Sequence, residues 1–151
     1  MSYKEVLNRI KKAKDNNSKN LDLSWLDLEE IPKEVFELTN LTRLDLFDNQ
    51  IVEIPSEIAK LKNLTELILY YNQIVKLPSE LGELTSLKEL YLGNNQLSSL
   101  PMEIKKLKNL RDFNSNSFLK NEAFLKGNKF NIPNEVYKKT PIEQIEYILK
   151  N

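Results

Sequence analysis

The sequence predicts an α/β solenoid, in which a unit of 23 residues is stacked several times with parallel strands on a concave face and short helical returns behind them. Two observations support this. Leucine pairs and single prolines both recur with the same period, and a fixed period of this size indicates one structural unit repeated along the chain. The leucine pairs are Leu21 and Leu23, Leu44 and Leu46, Leu67 and Leu69, and Leu90 and Leu92, and the prolines are Pro32, Pro55, Pro78 and Pro101.

Each unit contains a strand, a tight corner and a return. In the third unit, Leu67 and Leu69 alternate with Ile68, which is the period of a strand. Pro78 then starts a stretch whose leucines recur every third residue, which predicts a short helical or 3₁₀ return. One unit cannot bury its apolar side alone, so the units must stack. The leucines of this return are Leu81, Leu84 and Leu87.

Asparagine also recurs with the same period, at Asn49, Asn72 and Asn95. A buried asparagine can donate to and accept from backbone groups of its own coil and of the next coil. We therefore predict that these three side chains form a structural ladder just after the strands.

The two ends of the chain carry amphipathic segments that predict helical caps, because an open solenoid exposes apolar surface at both ends. Residues 3–14 place Val6, Leu7 and Ile10 on one stripe. At the other end, Thr140 and Pro141 form a helix start signal.

The period fails near the end of the repeats. Phe113 continues the leucine series, and on that register residues 114–124 contain an insertion near the end of a fifth strand. A second register remains open, in which Leu125 and Asn128 take the strand and ladder positions. Insertions in repeat proteins map to loops, often on the binding side, whereas a terminal repeat also tolerates loss of its pattern.

Composition excludes several classes of function. The 22 basic residues balance the 22 acidic ones, which argues against a nucleic-acid or anionic-membrane partner. The chain has no Cys and no His, so it lacks the commonest catalytic bases and metal ligands. We expect no cofactor, no metal site and no enzymatic activity. The absence of Cys and of a signal-like apolar run favours the cytoplasm.

The repeated pattern L-x-L-x-x-N-x-L-x-x-L-P resembles the leucine-rich repeats, over roughly residues 21–112. The 23-residue form with Leu-Pro is similar to the intracellular class found in Ras-group and Roco proteins. The length, the period and the terminal helices predict one domain over residues 1–151, with an N-terminal cap helix (1–19), regular repeats (20–112), and an irregular last repeat with a C-terminal cap helix (113–151). The resemblance implies a curved solenoid that uses the parallel strands of its concave face to bind other proteins.

The strand residues that alternate with the core leucines should point to solvent, and the residues one step past them should lie on the same side. Many of them are aromatic or acidic, which suits anchoring of a basic, apolar partner surface. We therefore expect a non-catalytic protein-binding module, monomeric or weakly homodimeric, that binds a protein through its concave face. Three alternatives remain. The aromatic residues could simply stack on one another along the strands, the chain could assemble with copies of itself, or it could be a repeat fragment related to a Roco-type GTPase signalling protein. The candidate partner-binding residues are Trp25, Asp45, Phe47, Asp48, Ile68, Tyr70, Tyr71 and Tyr91.

Overall fold

In the computed structural model, four strands form one parallel sheet in chain order, β1-β2-β3-β4. The register is regular, because Leu44 pairs with Leu21 in β1 and with Leu67 in β3. This confirms the predicted solenoid with its period of 23 residues. The strands are β1 (Asn20–Asp22), β2 (Arg43–Asp45), β3 (Glu66–Ile68) and β4 (Glu89–Tyr91). The structure describes residues 3–111, 125–131 and 133–151.

A short 3₁₀ helix follows the repeated proline in each of the first four coils. The extended conformation of Pro55 (φ −74°) and its equivalents positions the start of each return, and a leucine closes it with a backbone hydrogen bond. Helices this short do not require the hydrophobic period of an α-helix. The leucines of the returns instead recur every third residue on one buried side. These returns are Lys33–Glu37, Ser56–Lys60, Ser79–Glu83 and Met102–Lys106.

The main core lies between the sheet and the returns. Leu44, Leu67 and Leu90 are at most 1% exposed, and so are the return leucines Leu61 and Leu84. Each coil stacks its leucines on those of its neighbours, so the apolar side that one repeat leaves open is covered by the next.

Helices cover the core at both ends. Helix α1 (Tyr3–Asp15) buries Val6 and Ile10, whereas Leu7 is 38% exposed and stands outside the buried stripe that the sequence predicts. Helix α2 (Pro141–Lys150) buries Ile145 against the last coils. It begins with a reciprocal capping box, in which the Glu143 amide donates to Thr140 Oγ1 (3.2 Å) and the Thr140 amide donates to the Glu143 carboxylate (2.9 Å).

The predicted asparagine ladder is present. Asn49, Asn72 and Asn95 are each at most 8% exposed. The Asn95 side chain donates to the carbonyl oxygens of Leu69 and Leu92, both at 2.9 Å, and accepts from a backbone amide of the previous coil. The ladder therefore joins neighbouring coils at the ends of their strands.

Asn128 forms a fourth rung of this ladder. Its side chain donates to the carbonyl oxygens of Leu92 (2.9 Å) and Leu125 (2.8 Å) and accepts from the Leu97 amide (2.9 Å). The second register of the sequence analysis thus describes the last coil. Phe113 and residues 114–124, on which the first register rests, lie outside the described residues. Across the described ranges, no helix is long and apolar enough to cross a membrane.

Candidate partner-binding surface

The candidate surface is the strand face, by which we mean the side of the sheet that carries Asp22, Asp45 and their equivalents in the other coils. The burial pattern of β1, in which Leu21 is buried between exposed Asn20 and Asp22, shows that alternation separates this face from the core. The structure thus brings the predicted site residues onto one side of the molecule.

These residues differ in exposure. Trp25 is 62% exposed and Tyr71 is 49% exposed, whereas Ile68, Tyr70 and Tyr91 are only 7%, 6% and 6% exposed. The expectation that all of them face solvent is therefore wrong for the last three. Asp45, Phe47 and Asp48 are half-buried.

Ile68, Tyr70 and Tyr91 form a second apolar cluster, separate from the main core, and Phe47 packs against it. Large side chains on the same face of adjacent parallel strands lie side by side and cover one another, which removes much of their surface from water. Part of the strand face is consequently a structural element as well as a candidate surface.

Four aromatic rings, of Trp25, Phe47, Tyr70 and Tyr71, form a continuous group that we call the aromatic cluster. The Phe47 ring stacks on Tyr70, with centroids 6.0 Å apart and planes inclined by 7°. Trp25 and Tyr71 meet Phe47 edge to face, at 5.0 Å and 5.9 Å. Tyr71 also crosses Tyr70 at 4.6 Å. Buried Tyr70 and half-buried Phe47 thus support two exposed rings.

The exposed rings stand at a corner that every coil repeats just after its strand. At this corner the backbone is left-handed, a conformation that asparagine, aspartate and glycine tolerate and that bulky residues rarely adopt. We call these residues the corner row. The row comprises Trp25 (φ 61°), Asp48 (49°), Tyr71 (55°), Asn94 (50°) and Gly127 (81°).

Backbone hydrogen bonds hold the corner row in place. The Trp25 amide donates to the carbonyl of Phe47 (3.0 Å), the Asp48 amide to that of Tyr70 (3.1 Å), and the Tyr71 amide to that of Gly93 (3.2 Å). Each corner is thereby attached to the following coil, so the exposed aromatic side chains project from a rigid backbone.

The strand face is mainly acidic in coils one to four. Arg43 pairs with Asp45 (2.7 Å) and Glu66 (3.0 Å). Burial raises the pKa of Glu66, and the neighbouring Glu89 adds to this, although Arg43 opposes the shift. At the edge of the sheet, Asp22 accepts from the amide and the hydroxyl of Ser24, and these bonds help to hold the pKa of its carboxyl below the ordinary value despite some burial.

Tyr91 has a polar partner within its apolar surroundings. Its hydroxyl donates to the Glu89 carboxylate at 2.8 Å. Burial, and secondly this bond to a carboxylate, raise the pKa of the Tyr91 hydroxyl, because ionisation would place a second negative charge beside Glu89.

The strand face and the corner row combine aromatic side chains with carboxylates. Within the described ranges, no group of three or more His, Cys, Asp or Glu side chains could hold a metal ion. The face offers instead aromatic area, carboxylates and rigid backbone.

Trp25, Asp48 and Tyr71 were predicted to lie on this side because they directly follow the alternating strand residues, but the left-handed corner that they share was not predicted. A signal was present, because the equivalent positions in later coils are Asn94 and Gly127. Aspartate, asparagine and glycine at one repeat position indicate positive φ.

Residues 17–129 match the family described as leucine-rich repeat region, and the chain belongs to this family. No curated protein matches the chain. The matched residues 17–129 include all four strands and the asparagine ladder.

Solved structures show the same fold. A leucine-rich-repeat protein of Leptospira interrogans is 27% identical over 85% of this chain and 43% of its own, with a TM-score of 0.53. An internalin of Listeria monocytogenes is 29% identical over 69% of this chain and 26% of its own, with a TM-score of 0.56. The Arabidopsis thaliana receptor kinase ectodomain GASSHO1/SCHENGEN3, in complex with CASPARIAN STRIP INTEGRITY FACTOR 2, is 37% identical over 66% of this chain and 11% of its own, with a TM-score of 0.54. The chain thus spans less than half the length of each of these proteins.

Leucine-rich-repeat domains generally mediate protein–protein interactions and are typically non-enzymatic, and receptor–ligand complexes occur among the structures that this chain resembles.

Proposed function

We propose that this chain is a non-catalytic protein-binding module that binds its partner through the strand face and the adjoining corner row. The observation that carries the proposal is the exposure of Trp25 and Tyr71, at 62% and 49%, on backbone that is bonded to the next coil. Exposed, rigid aromatic residues lose little conformational entropy on binding and are the usual anchors of protein interfaces.

The arrangement around these anchors supports the proposal. Half-buried Phe47 lies between the two exposed rings, and Tyr70 packs beneath Tyr71. Carboxylates of the strand face adjoin the cluster, so apolar contact and charge are available on the same side of the molecule.

The relatives supply a second argument. One plant receptor kinase ectodomain among them is in complex with CASPARIAN STRIP INTEGRITY FACTOR 2, and the plant peptide hormone receptor RGFR1 is in complex with RGF2. The second is 44% identical over 62% of this chain and 16% of its own. A protein or peptide ligand on the repeats of this chain is consistent with both.

The test compares two matched double variants as baits in a pull-down from cell lysate. Trp25→Ala/Tyr71→Ala removes the exposed rings. Val52→Ala/Val75→Ala removes exposed apolar side chains (42% and 44%) from a different part of the repeats and serves as the control. All four positions are exposed, so both variants should fold, which circular dichroism can verify.

A protein captured by the parent chain and by the valine variant, but lost with the aromatic variant, supports the proposal. Equal capture by both variants places the binding surface elsewhere. Light scattering after size exclusion tests self-assembly. If the parent chain is a dimer and the aromatic variant is a monomer, the partner is a second copy of the chain.

We further propose that the chain belongs to the 23-residue intracellular class and acts in the cytoplasm. The Leu-Pro repeat of 23 residues and the cysteine-free composition support this. Fractionation of the source cells, with detection by a specific antibody, tests it, and recovery outside the cytosolic fraction would refute it.

A further inference from the structure

We propose that the cavity between the fourth return (Met102–Lys106) and helix α2 binds an acidic segment of a partner protein, with one large apolar side chain of that segment inside the cavity and carboxylates against the lysines at its rim. Residues of the return side and of α2 line this cavity, and none of the strand-face residues does. The inference therefore goes beyond the proposed function and does not depend on it.

The first argument is the shape and the apolar lining of the cavity. Its volume is 220 Å³. A dry apolar cavity of about 150 Å³ already holds a benzene molecule, so this one has room for a large apolar side chain. Ile104, Leu107 and Ile145 line it and are each at most 3% exposed, and half-buried Ile142 completes the apolar lining.

The second argument is the residue that stands where the stacking of returns stops. The position of Lys105 carries Phe36, Ala59 and Gly82 in the three earlier coils. Between the third and fourth returns this position is tightly packed, because a methyl group on Gly82 would lie 2.3 Å from the carbonyl oxygen of Glu103. After the fourth coil, α2 packs against the return, and Lys105 is exposed at the cavity between them. A position that elsewhere serves packing between coils thus carries a charge at the rim of an apolar recess.

The third argument is the charge around the cavity. Lys105, Lys108 and Lys150 line it from two different elements, and all three are exposed. Their side chains form no hydrogen bond or ion pair with another described residue, so a carboxylate of a ligand can pair with them without breaking an existing ion pair. Glu146 is the one acidic side chain among the described residues of the lining.

The distribution of charge along the chain agrees with an acidic partner. Residues 101–151 contain ten basic and six acidic residues, whereas residues 20–100 contain six basic and fourteen acidic ones. The neutral total therefore combines acidic repeats with a basic C-terminal end. An excess of one charge raises the local concentration of oppositely charged partners, so the C-terminal end attracts an acidic segment and the repeats attract a basic one.

A protein segment fits this site better than a membrane surface does. The lysines surround a recess that admits one side chain, whereas binding to a membrane surface requires a broad apolar face with basic residues along it. An acidic segment with a leucine between two glutamates supplies both the apolar group and the charges that the site requires.

The test is a nuclear magnetic resonance titration of the full chain with labelled isoleucine methyl groups. Ile104, Ile142 and Ile145 report on the cavity, and Ile68 reports on the strand face. The probe is a blocked peptide, Gly-Glu-Leu-Glu-Gly. Two matched peptides, Gly-Gln-Leu-Gln-Gly and Gly-Glu-Ser-Glu-Gly, lack the charges or the apolar side chain. We expect saturable shifts of the three cavity methyl signals with an unchanged Ile68 signal, and binding of each matched peptide weaker by about fivefold or more.

Variants with altered charge locate the effect. Lys105→Gln/Lys108→Gln should weaken the acidic peptide by about fivefold, and the fold should persist because both side chains are exposed. Lys33→Gln/Lys60→Gln removes two charges from exposed positions on the first two returns and should leave binding unchanged. Glu146→Gln should strengthen binding by about twofold, because it removes the carboxylate that repels the peptide. Damage to the fold does not produce such a gain.

Equal affinity of the parent and Lys105→Gln/Lys108→Gln for the acidic peptide would overturn the inference. Shifts at Ile68 without shifts at the cavity isoleucines would also overturn it, and so would the absence of any shift up to about 20 mM peptide. If vesicles that contain phosphatidylserine bind the parent and the peptide does not, the basic end contacts a membrane and the inference is wrong. The pull-down with Trp25→Ala/Tyr71→Ala decides the proposed function separately, since that variant leaves the cavity unchanged.

Discussion

The side-chain amide of Asn72 donates a hydrogen bond to the carbonyl oxygen of Leu46 in the preceding coil, at 2.9 Å. The same amide donates to Leu69 in its own coil (3.1 Å), and its oxygen accepts from the Ile51 amide (3.0 Å). One buried side chain thus satisfies three backbone groups that the short strands and their corners leave without partners.

Replacing this side chain should destabilise the fold. We expect Asn72→Ala to lower the free energy of unfolding by about 1–3 kcal/mol, because buried backbone groups lose their partners. Urea denaturation measures the change. Asn63→Ala is the control, since Asn63 is exposed and makes one bond to the Thr39 carbonyl (2.9 Å). Equal midpoints for the two variants would contradict the ladder.

The same substitution tests the last coil. Asn128→Ala should also cost about 1–3 kcal/mol, because Asn128 bonds the backbones of Leu92, Leu97 and Leu125 as its counterparts do. Asn134→Ala, at an exposed position, is the matched variant. If both variants unfold at the same urea concentration, the fifth coil does not contribute to the ladder.

Truncation of two adjacent tyrosines should destabilise the fold by very different amounts. Tyr70 is 6% exposed and packs in the second cluster, so Tyr70→Ala should cost roughly 3 kcal/mol or more. Tyr71 is 49% exposed, and Tyr71→Ala should cost less than about 1 kcal/mol. Thermal melts measure both changes. Similar losses would show that the strand-face cluster is not a packed unit.

Stability should depend on Tyr91 in alkaline solution. The pKa of its hydroxyl is raised in the folded state, mainly by burial, so above its ordinary value near 10 the folded chain retains a proton that the unfolded chain loses. The contribution of this group is therefore complete below that pH and declines above it. We expect the parent to lose more stability than Tyr91→Phe between about pH 9 and pH 11, measured by urea denaturation. Parallel profiles for the two chains would refute the shift.

Much of the fold follows from the period of 23 residues. The leucine pairs predict the strands, the prolines predict the start of each return, and Asn49, Asn72 and Asn95 predict the ladder. These features depend on contacts between equivalent residues of adjacent coils, so one repeat of the sequence already contains both sides of each contact.

The candidate surface was less predictable. Alternation along each strand places Phe47, Tyr70 and Tyr91 on the strand face, but it does not state how closely the side chains of neighbouring strands pack. The prediction therefore selected the face and overestimated the exposure of Ile68, Tyr70 and Tyr91.

The sequence alone thus determined the repeat, the parallel strands, the returns and the face that alternates with the core, because these follow from local periodicity and the need to bury leucine. Only the tertiary structure decided that Asn128 continues the ladder, that Tyr70 and Tyr91 are buried, and that Trp25 and Tyr71 lie on left-handed corners. Those outcomes depend on hydrogen bonds and side-chain packing between coils. Periodicity does not specify such contacts where the period changes, as in the last coil, or where neighbouring side chains compete for the same space, as on the strand face.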